Sequence, residues 1–124
     1  MKKSDRVKFE MELLEKVADK AWGEEAKIAK IIFKGNKKLI KEISNQNGSW
    51  CQGITNNLDR RIGSIFECQK MCFDVKGKKH VALLVKGTEQ YVVDGAIRQF
   101  LPKQRKRVFT LKEYPLDIEN PTSW

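Results

Sequence analysis

The chain has 124 residues, 40% of them hydrophobic and 33% charged, and a net charge of +9. That length suits one compact domain able to bury a core without disulfides or metals, and the composition excludes a disordered tail. No run of about 18 apolar residues occurs, which excludes a membrane-spanning helix, and the charged start Met1-Lys2-Lys3-Ser4-Asp5 does not form an apolar signal core.

The first third is expected to be helical. Ser4 is a candidate N-cap, and Phe9, Leu13, Val17 and Ala21 recur at four-residue steps to give one apolar face. Gly23 is expected to interrupt this helix. A second segment then carries Ala26, Ile28, Ala29, Ile31, Ile32 and Phe33 and ends at Gly35-Asn36. A third short helix is expected from Lys37 to Ile43, followed by the turn Asn45-Gln46-Asn47-Gly48-Ser49. Trp50, Ile54, Leu58 and Ile62 fall on one helical face, with Ser49 as a possible cap. Cys51 would then sit in the first turn.

Beyond Ile62 the period changes to that of strands. Ile65 to Val75 is expected to form a strand or two, and Lys76-Gly77-Lys78-Lys79 a turn. His80 to Val85 follows as a buried-type strand, then a turn at Lys86-Gly87-Thr88-Glu89 and a strand at Gln90 to Asp94. Arg107 to Leu111 is expected to be the last strand, and the tail with Pro115, Pro121 and Trp124 to be irregular. The order is α+β, with a helical part at about 4–62 and an antiparallel sheet part at about 63–111 of a single domain spanning 1–124.

Three cysteines leave at least one thiol free, and free thiols persist in a reducing cytosol, where the chain is expected to act. A thiol becomes a nucleophile as its thiolate, which a helix N-terminus and a neighbouring imidazolium both favour. Cys51 opens a helix, and His80 is the single histidine of the chain. His80 begins a strand, from which it could project at a sheet edge into a cleft. Asp94 is the candidate for orienting its ring. An odd hairpin loop such as Lys86-Gly87-Thr88 would set His80 opposite Asp94, whereas a two-residue loop would turn Asp94 to the other face. Gln46 or Asn47, with the backbone N–H of Cys51, could stabilise an oxyanion. Cys68 and Cys72 are four apart and share a strand face. Packing fits them better than zinc, and no metal or cofactor is expected.

These residues resemble a family. Gly48-Ser49-Trp50-Cys51 resembles the nucleophile segment of papain-like cysteine peptidases. His80-Val81-Ala82-Leu83-Leu84-Val85, with Tyr91-Val92-Val93-Asp94-Gly95 and Arg98-Gln99-Phe100, resembles the His and Asp strands of papain-fold toxin domains at the C-termini of bacterial polymorphic toxins. Contact-dependent inhibition toxins and secretion-system effectors belong to this group, and the resemblance covers roughly Gln46 to Leu101. It implies a papain-like fold, with the nucleophile on a helix start packed against a small antiparallel sheet. It also implies a Cys51–His80–Asp94 triad with Gln46 as oxyanion donor. The implied activity is cleavage of a target protein in a competitor's cytoplasm, after delivery within a larger toxin, and a cognate immunity protein would protect the producer. Double-glycine peptidases share the order of the triad, which suggests a Gly-Gly site. Plant papains differ in carrying Asn where Asp94 stands, and Gln46 lies one residue closer to Cys51 than in their pattern.

Other readings stay open. Glutamine deamidation uses the same triad. A net charge of +9 favours acidic partners. A basic ribonuclease could use His80, with Lys76, Lys78, Lys79 and the run Lys103 to Arg107 on phosphates, though nucleic acid is not the expected partner. That run could instead be a solvated loop or the docking point of an acidic immunity protein. A non-catalytic module using the basic face is the third reading, and no membrane partner is expected.

Overall fold

The structure, a computed structural model, describes residues 2–32 and 50–123, apart from the side chains of residues 29, 30, 32 and 50. The expected helix at Lys37 to Ile43, its flanking turns at Gly35-Asn36 and 45–49, and the oxyanion candidates Gln46 and Asn47 lie outside the described residues. Two α-helices, α1 (Lys3–Ile32) and α2 (Trp50–Ile62), pack on a five-stranded antiparallel sheet. The strands are β1 (Glu67–Val75), β2 (Lys78–Lys86), β3 (Gln90–Val93), β4 (Val108–Thr110) and β5 (Glu119–Ser123), in the spatial order β4-β3-β2-β1-β5. The fold is α+β, as the sequence indicates.

Helix α1 departs from expectation in three ways. It runs unbroken through Gly23, because Ala21, Trp22 and Glu25 on either side are packed, and such contacts outweigh the roughly 1 kcal/mol helix cost of a glycine. It starts at Lys3, so Ser4 lies inside the first turn, where the Lys2 carbonyl accepts from the Asp5 and Arg6 N–H groups. Its buried stripe is Leu14, Ala18, Ala21 and Glu25, while Phe9 is 61% exposed. Helix α2 follows its expected period, with Cys51, Ile54, Thr55, Leu58 and Ile62 buried at steps of three and four. Between the helices, Asn57 donates to Glu25 Oε1 at 2.9 Å and accepts from Arg61 Nε at 2.8 Å, and Arg61 pairs with Glu24.

The sheet separates two apolar layers by strand alternation. Val81, Leu83, Val85, Tyr91 and Val93 face the helices together with the half-buried Cys68 and Cys72. Met71, Phe73, Val75, Ala82, Val92 and Phe109 face the other way, under Ile97, Phe100, Tyr114 and Leu116. The β1–β2 turn is Lys76-Gly77 alone, both with positive φ (49° and 78°), the pattern of a two-residue hairpin turn that follows the strand twist. Lys78 and Lys79 therefore belong to β2. The tail is not wholly irregular: β5 pairs with β1, Cys72 facing Thr122.

The β2–β3 loop is Gly87-Thr88-Glu89, an odd loop whose pairs run from Lys86↔Gln90 to Leu83↔Val93. Helix α1 holds it in place. Glu10 Oε1 accepts from the Thr88 N–H at 2.9 Å and from the Tyr91 hydroxyl at 2.7 Å. Burial alone would raise the Glu10 pKa, but these bonds and nearby Arg6 outweigh it and hold the carboxyl below its usual 4.5. Its contribution to stability is therefore complete above about pH 4.5 and fades as pH falls below it. Glu10→Ala is expected to cost about 1–2 kcal/mol in urea unfolding at neutral pH and to speed hydrogen exchange at the Thr88 amide. Unaltered exchange there would show that the carboxylate does not fix the loop.

Candidate active site

The structure brings Cys51, His80 and Asp94 together. Cys51 is the second residue of α2, on its buried face, and is 3% exposed. His80 and Asp94 are 0% exposed. His80 is the third residue of β2, the central strand, in the stretch before Leu83 that pairs with β1 but not with β3. Its Nε2 meets Asp94 Oδ2 at 2.7 Å.

The pairing that achieves this differs from the expected one by two residues. The odd loop does put Asp94 on the face of His80, but it is Gly87-Thr88-Glu89 and not Lys86-Gly87-Thr88. Continued one step past Val93, this register would place Asp94 beside Ala82. His80 is therefore its diagonal neighbour, a separation that a ring and a carboxylate can span. Asp94 itself is fixed on three sides. Its N–H donates to the Arg107 carbonyl at 2.8 Å, and its Oδ1 accepts the Ala96 N–H at 3.1 Å in a local side-chain turn. Its Oδ2 also accepts the Tyr114 hydroxyl at 2.5 Å.

Aromatic rings wall the imidazole. Phe73, its cross-strand partner, meets it edge-on at 5.4 Å and Phe100 at 4.9 Å. Burial alone would lower the His80 pKa. The Asp94 charge and hydrogen bond, followed by the interaction with Cys51, outweigh it and push the pKa up to about 9. With Nε2 taken by Asp94, Nδ1 is the ring nitrogen left for the thiol. It is buried and makes no hydrogen bond of ordinary geometry among the described residues. The arrangement can hold a proton on the imidazole beside a thiol at neutral pH, which is what a thiolate nucleophile requires.

The other thiols differ. Cys68 donates to the Phe66 carbonyl at 3.4 Å, and burial together with Asp59 and Glu67 pushes its pKa up to about 11, which keeps it protonated. Cys68 and Cys72 pack against the helix-side core, in keeping with the packing role their spacing suggests. Sequence reasoning missed Tyr114, whose position in a proline-bearing tail gives no local signal. It also missed Phe73 as a wall of the site, although a phenylalanine one hairpin turn before the histidine points to it once the Lys76-Gly77 turn is recognised. Comparison with protein-family models, curated proteins and solved structures finds no match to the chain.

Gly95 sets the distance between α2 and Asp94. A Cβ there would lie 2.7 Å from Ile54 Cγ1 and Cδ1, closer than packed carbons approach. Gly95→Ala is expected to destabilise by about 1–3 kcal/mol through overpacking, and Ile54→Ala in the same chain to cost less than the sum of the two changes. Strict additivity would refute the contact.

The imidazole gives a second test. Folding raises its pKa from 6.5 to about 9, so the stability it contributes is complete below pH 6.5 and is lost as pH rises through 9. NMR of the single histidine is expected to give a titration midpoint near 9, with the urea midpoint falling over the same interval. A midpoint at or below 6.5 would exclude the charged pair.

Proposed function

We propose that the chain is a papain-like cysteine peptidase, acting as a toxin of interbacterial competition. The observation that carries this reading is the buried contact of 2.7 Å between His80 Nε2 and Asp94 Oδ2, with a thiol from a helix's first turn acting on the same ring. Papain-like chemistry uses a helix-borne cysteine, a strand-borne histidine and an orienting group near it, and Cys51 on α2, His80 on β2 and Asp94 directly after β3 support that reading. The papain-like fold rests on the same placement and on the sequence resemblance around Cys51, His80 and Asp94.

The reaction would be acyl transfer. The Cys51 thiolate attacks an amide carbonyl, and the C–N bond breaks as the His80 imidazolium gives its proton to the leaving amine. Neutral His80 then takes a proton from water, whose oxygen attacks the thioester, releasing the acid and restoring the Cys51 thiolate beside the imidazolium. Asp94 keeps the Nε2–H tautomer, so that Nδ1 does the proton transfer. The oxyanion donor would be the Cys51 N–H with Gln46 or Asn47. Cys51 is 3% exposed, so in this arrangement little of its side chain faces solvent.

The target would be a cytosolic protein of the competitor, reached by delivery within a larger toxin and blocked in the producer by an immunity protein. Glutamine deamidation is the alternative on the same triad, differing only in whether a backbone or a side-chain amide enters. The ribonuclease alternative would use His80 without Cys51, and it gives no role to the thiol that acts on the same ring as Asp94.

Expression in a susceptible bacterium is expected to arrest growth, and Cys51→Ala at matched protein level to abolish the arrest, with hydrolysis down by at least about 1000-fold. New N-termini across the proteome would support a peptidase. A deamidated target without new termini would replace that activity with deamidation. Arrest by Cys51→Ala as strong as by wild type would end the cysteine-hydrolase reading and turn attention to RNA cleavage.

A further inference from the structure

Asp94 Oδ2 accepts from two donors at once, His80 Nε2 at 2.7 Å and the Tyr114 hydroxyl at 2.5 Å. Tyr114 comes from the segment after the short 3-10 turn Leu111–Glu113, twenty residues beyond Asp94. Its ring packs edge-on against Phe73 at 6.1 Å and Phe109 at 5.8 Å. A phenylalanine would satisfy those ring contacts equally well, so packing alone does not account for the hydroxyl. A separation of 2.5 Å lies at the short end for O–H···O⁻ and marks a charge-assisted bond. Burial first, and then the Asp94 charge, push the Tyr114 pKa far above its usual 10, so the phenol stays a donor across the pH range of interest.

The surroundings of the ring make the hydroxyl's effect legible. Among the described residues, the polar groups acting on His80 are Asp94, directly after β3, and Cys51 from α2, with Tyr114 acting through Asp94. Phe73 from β1 and Phe100 from the segment after the 3-10 turn Ile97–Gln99 bring no charge. A carboxylate bonded to His80 and the Ala96 N–H alone would concentrate its charge on the imidazole proton. A second donor on Oδ2 draws part of that charge away.

We propose that Tyr114 is a positioning residue of the Cys51–His80–Asp94 site: its hydroxyl keeps the Asp94 carboxylate aimed at Nε2 while weakening its hold on the imidazole proton. The balance matters because His80 must release a proton to the leaving amine and then take one from water. An imidazolium bound too tightly to Asp94 would stall between the two steps. This inference rests on the hydrolase reading for its purpose, but the interaction itself can be measured without substrate.

The experiment is NMR titration of the ring of the single histidine in the full chain. Tyr114→Phe keeps the ring contacts and removes the second donor. The midpoint is expected to rise by about one pH unit, with the amide spectrum otherwise native. An unchanged or lowered midpoint in the folded variant would overturn the proposal. If Tyr114→Phe does not fold, biosynthetic replacement of both tyrosines by 3-fluorotyrosine serves instead. It makes the phenol a stronger donor and is expected to lower the midpoint. The second tyrosine, Tyr91, lies in the helix-side layer and bonds Glu10, away from the imidazole. A midpoint unmoved or raised by fluorination would equally overturn the proposal. The outcomes separate from those of the functional reading: growth arrest by Cys51→Ala removes the hydrolase, whereas an unmoved His80 titration removes only the role of Tyr114.

Discussion

An imidazole and a carboxylate placed where water does not reach must neutralise each other or be driven out, and much of this structure follows from that constraint. Two charges taken from water cost several kcal/mol each, which their attraction offsets only with good geometry and with the remaining lone pairs satisfied. His80 and Asp94 meet at 2.7 Å, and the other sites on Asp94 are taken by Ala96 and Tyr114. The ring faces that would otherwise be wet are covered by Phe73 and Phe100. Removing either charge would leave the other buried without compensation, so the pair specifies one arrangement of β2, the end of β3 and the chain around Tyr114.

Holding that arrangement falls largely to α1, through carboxylates and not only through its apolar stripe. Glu10 fixes the β2–β3 loop and hence the register of the hairpin. Glu15 accepts from the N–H groups of Arg107 and Val108 at 2.7 and 2.8 Å, where the chain enters β4. The Arg107 side chain lies over Trp22 and pairs with Asp19, both of α1. The Arg107 carbonyl in turn accepts from the Asp94 N–H. A line of connected bonds thus runs from a helix face to the carboxylate that orients the histidine.

The legible parts of the sequence were those set by local rules. The period of α2, the strand at His80 and the odd loop that sets Asp94 on the face of His80 follow from spacing and residue type. Long-range packing set what was misread. Phe9 lies in phase with Leu13 and Val17, yet the buried line shifts to Leu14 and Ala18, because the sheet decides which face is covered. Gly23 signals a break that neighbouring contacts override. The loop parity was readable, but the two-residue offset was not, and the Glu10 carboxylate that bonds this loop lies 78 residues from Thr88. Tyr114 reaches Asp94 by a path that no short window contains.

A residue of α2 and a histidine on the far face of the sheet belong to one cluster. Cys51 belongs to the helix-side layer, while His80 shares its face with Ala82 and Phe73. The shortness of β3 makes this possible. Its pairing ends at Leu83↔Val93, so β2 from Lys78 to Ala82 has β1 on one side and, among the described residues, no paired strand on the other. Helix α2 occupies the place that the strand leaves. Thr55 donates to the Val81 carbonyl at 3.4 Å, and Ile54 presses against the bare Cα of Gly95. The chain at Asp94-Gly95-Ala96 turns along this notch, with Ala96 buried in the helix-side layer and the Asp94 carboxylate bonded to the imidazole on the far one. A full-length β3 would close the sheet between thiol and imidazole. Ending the strand at Val93 lets the first turn of α2 and the far face share one site, and a glycine directly after the aspartate is what allows the helix to come that close.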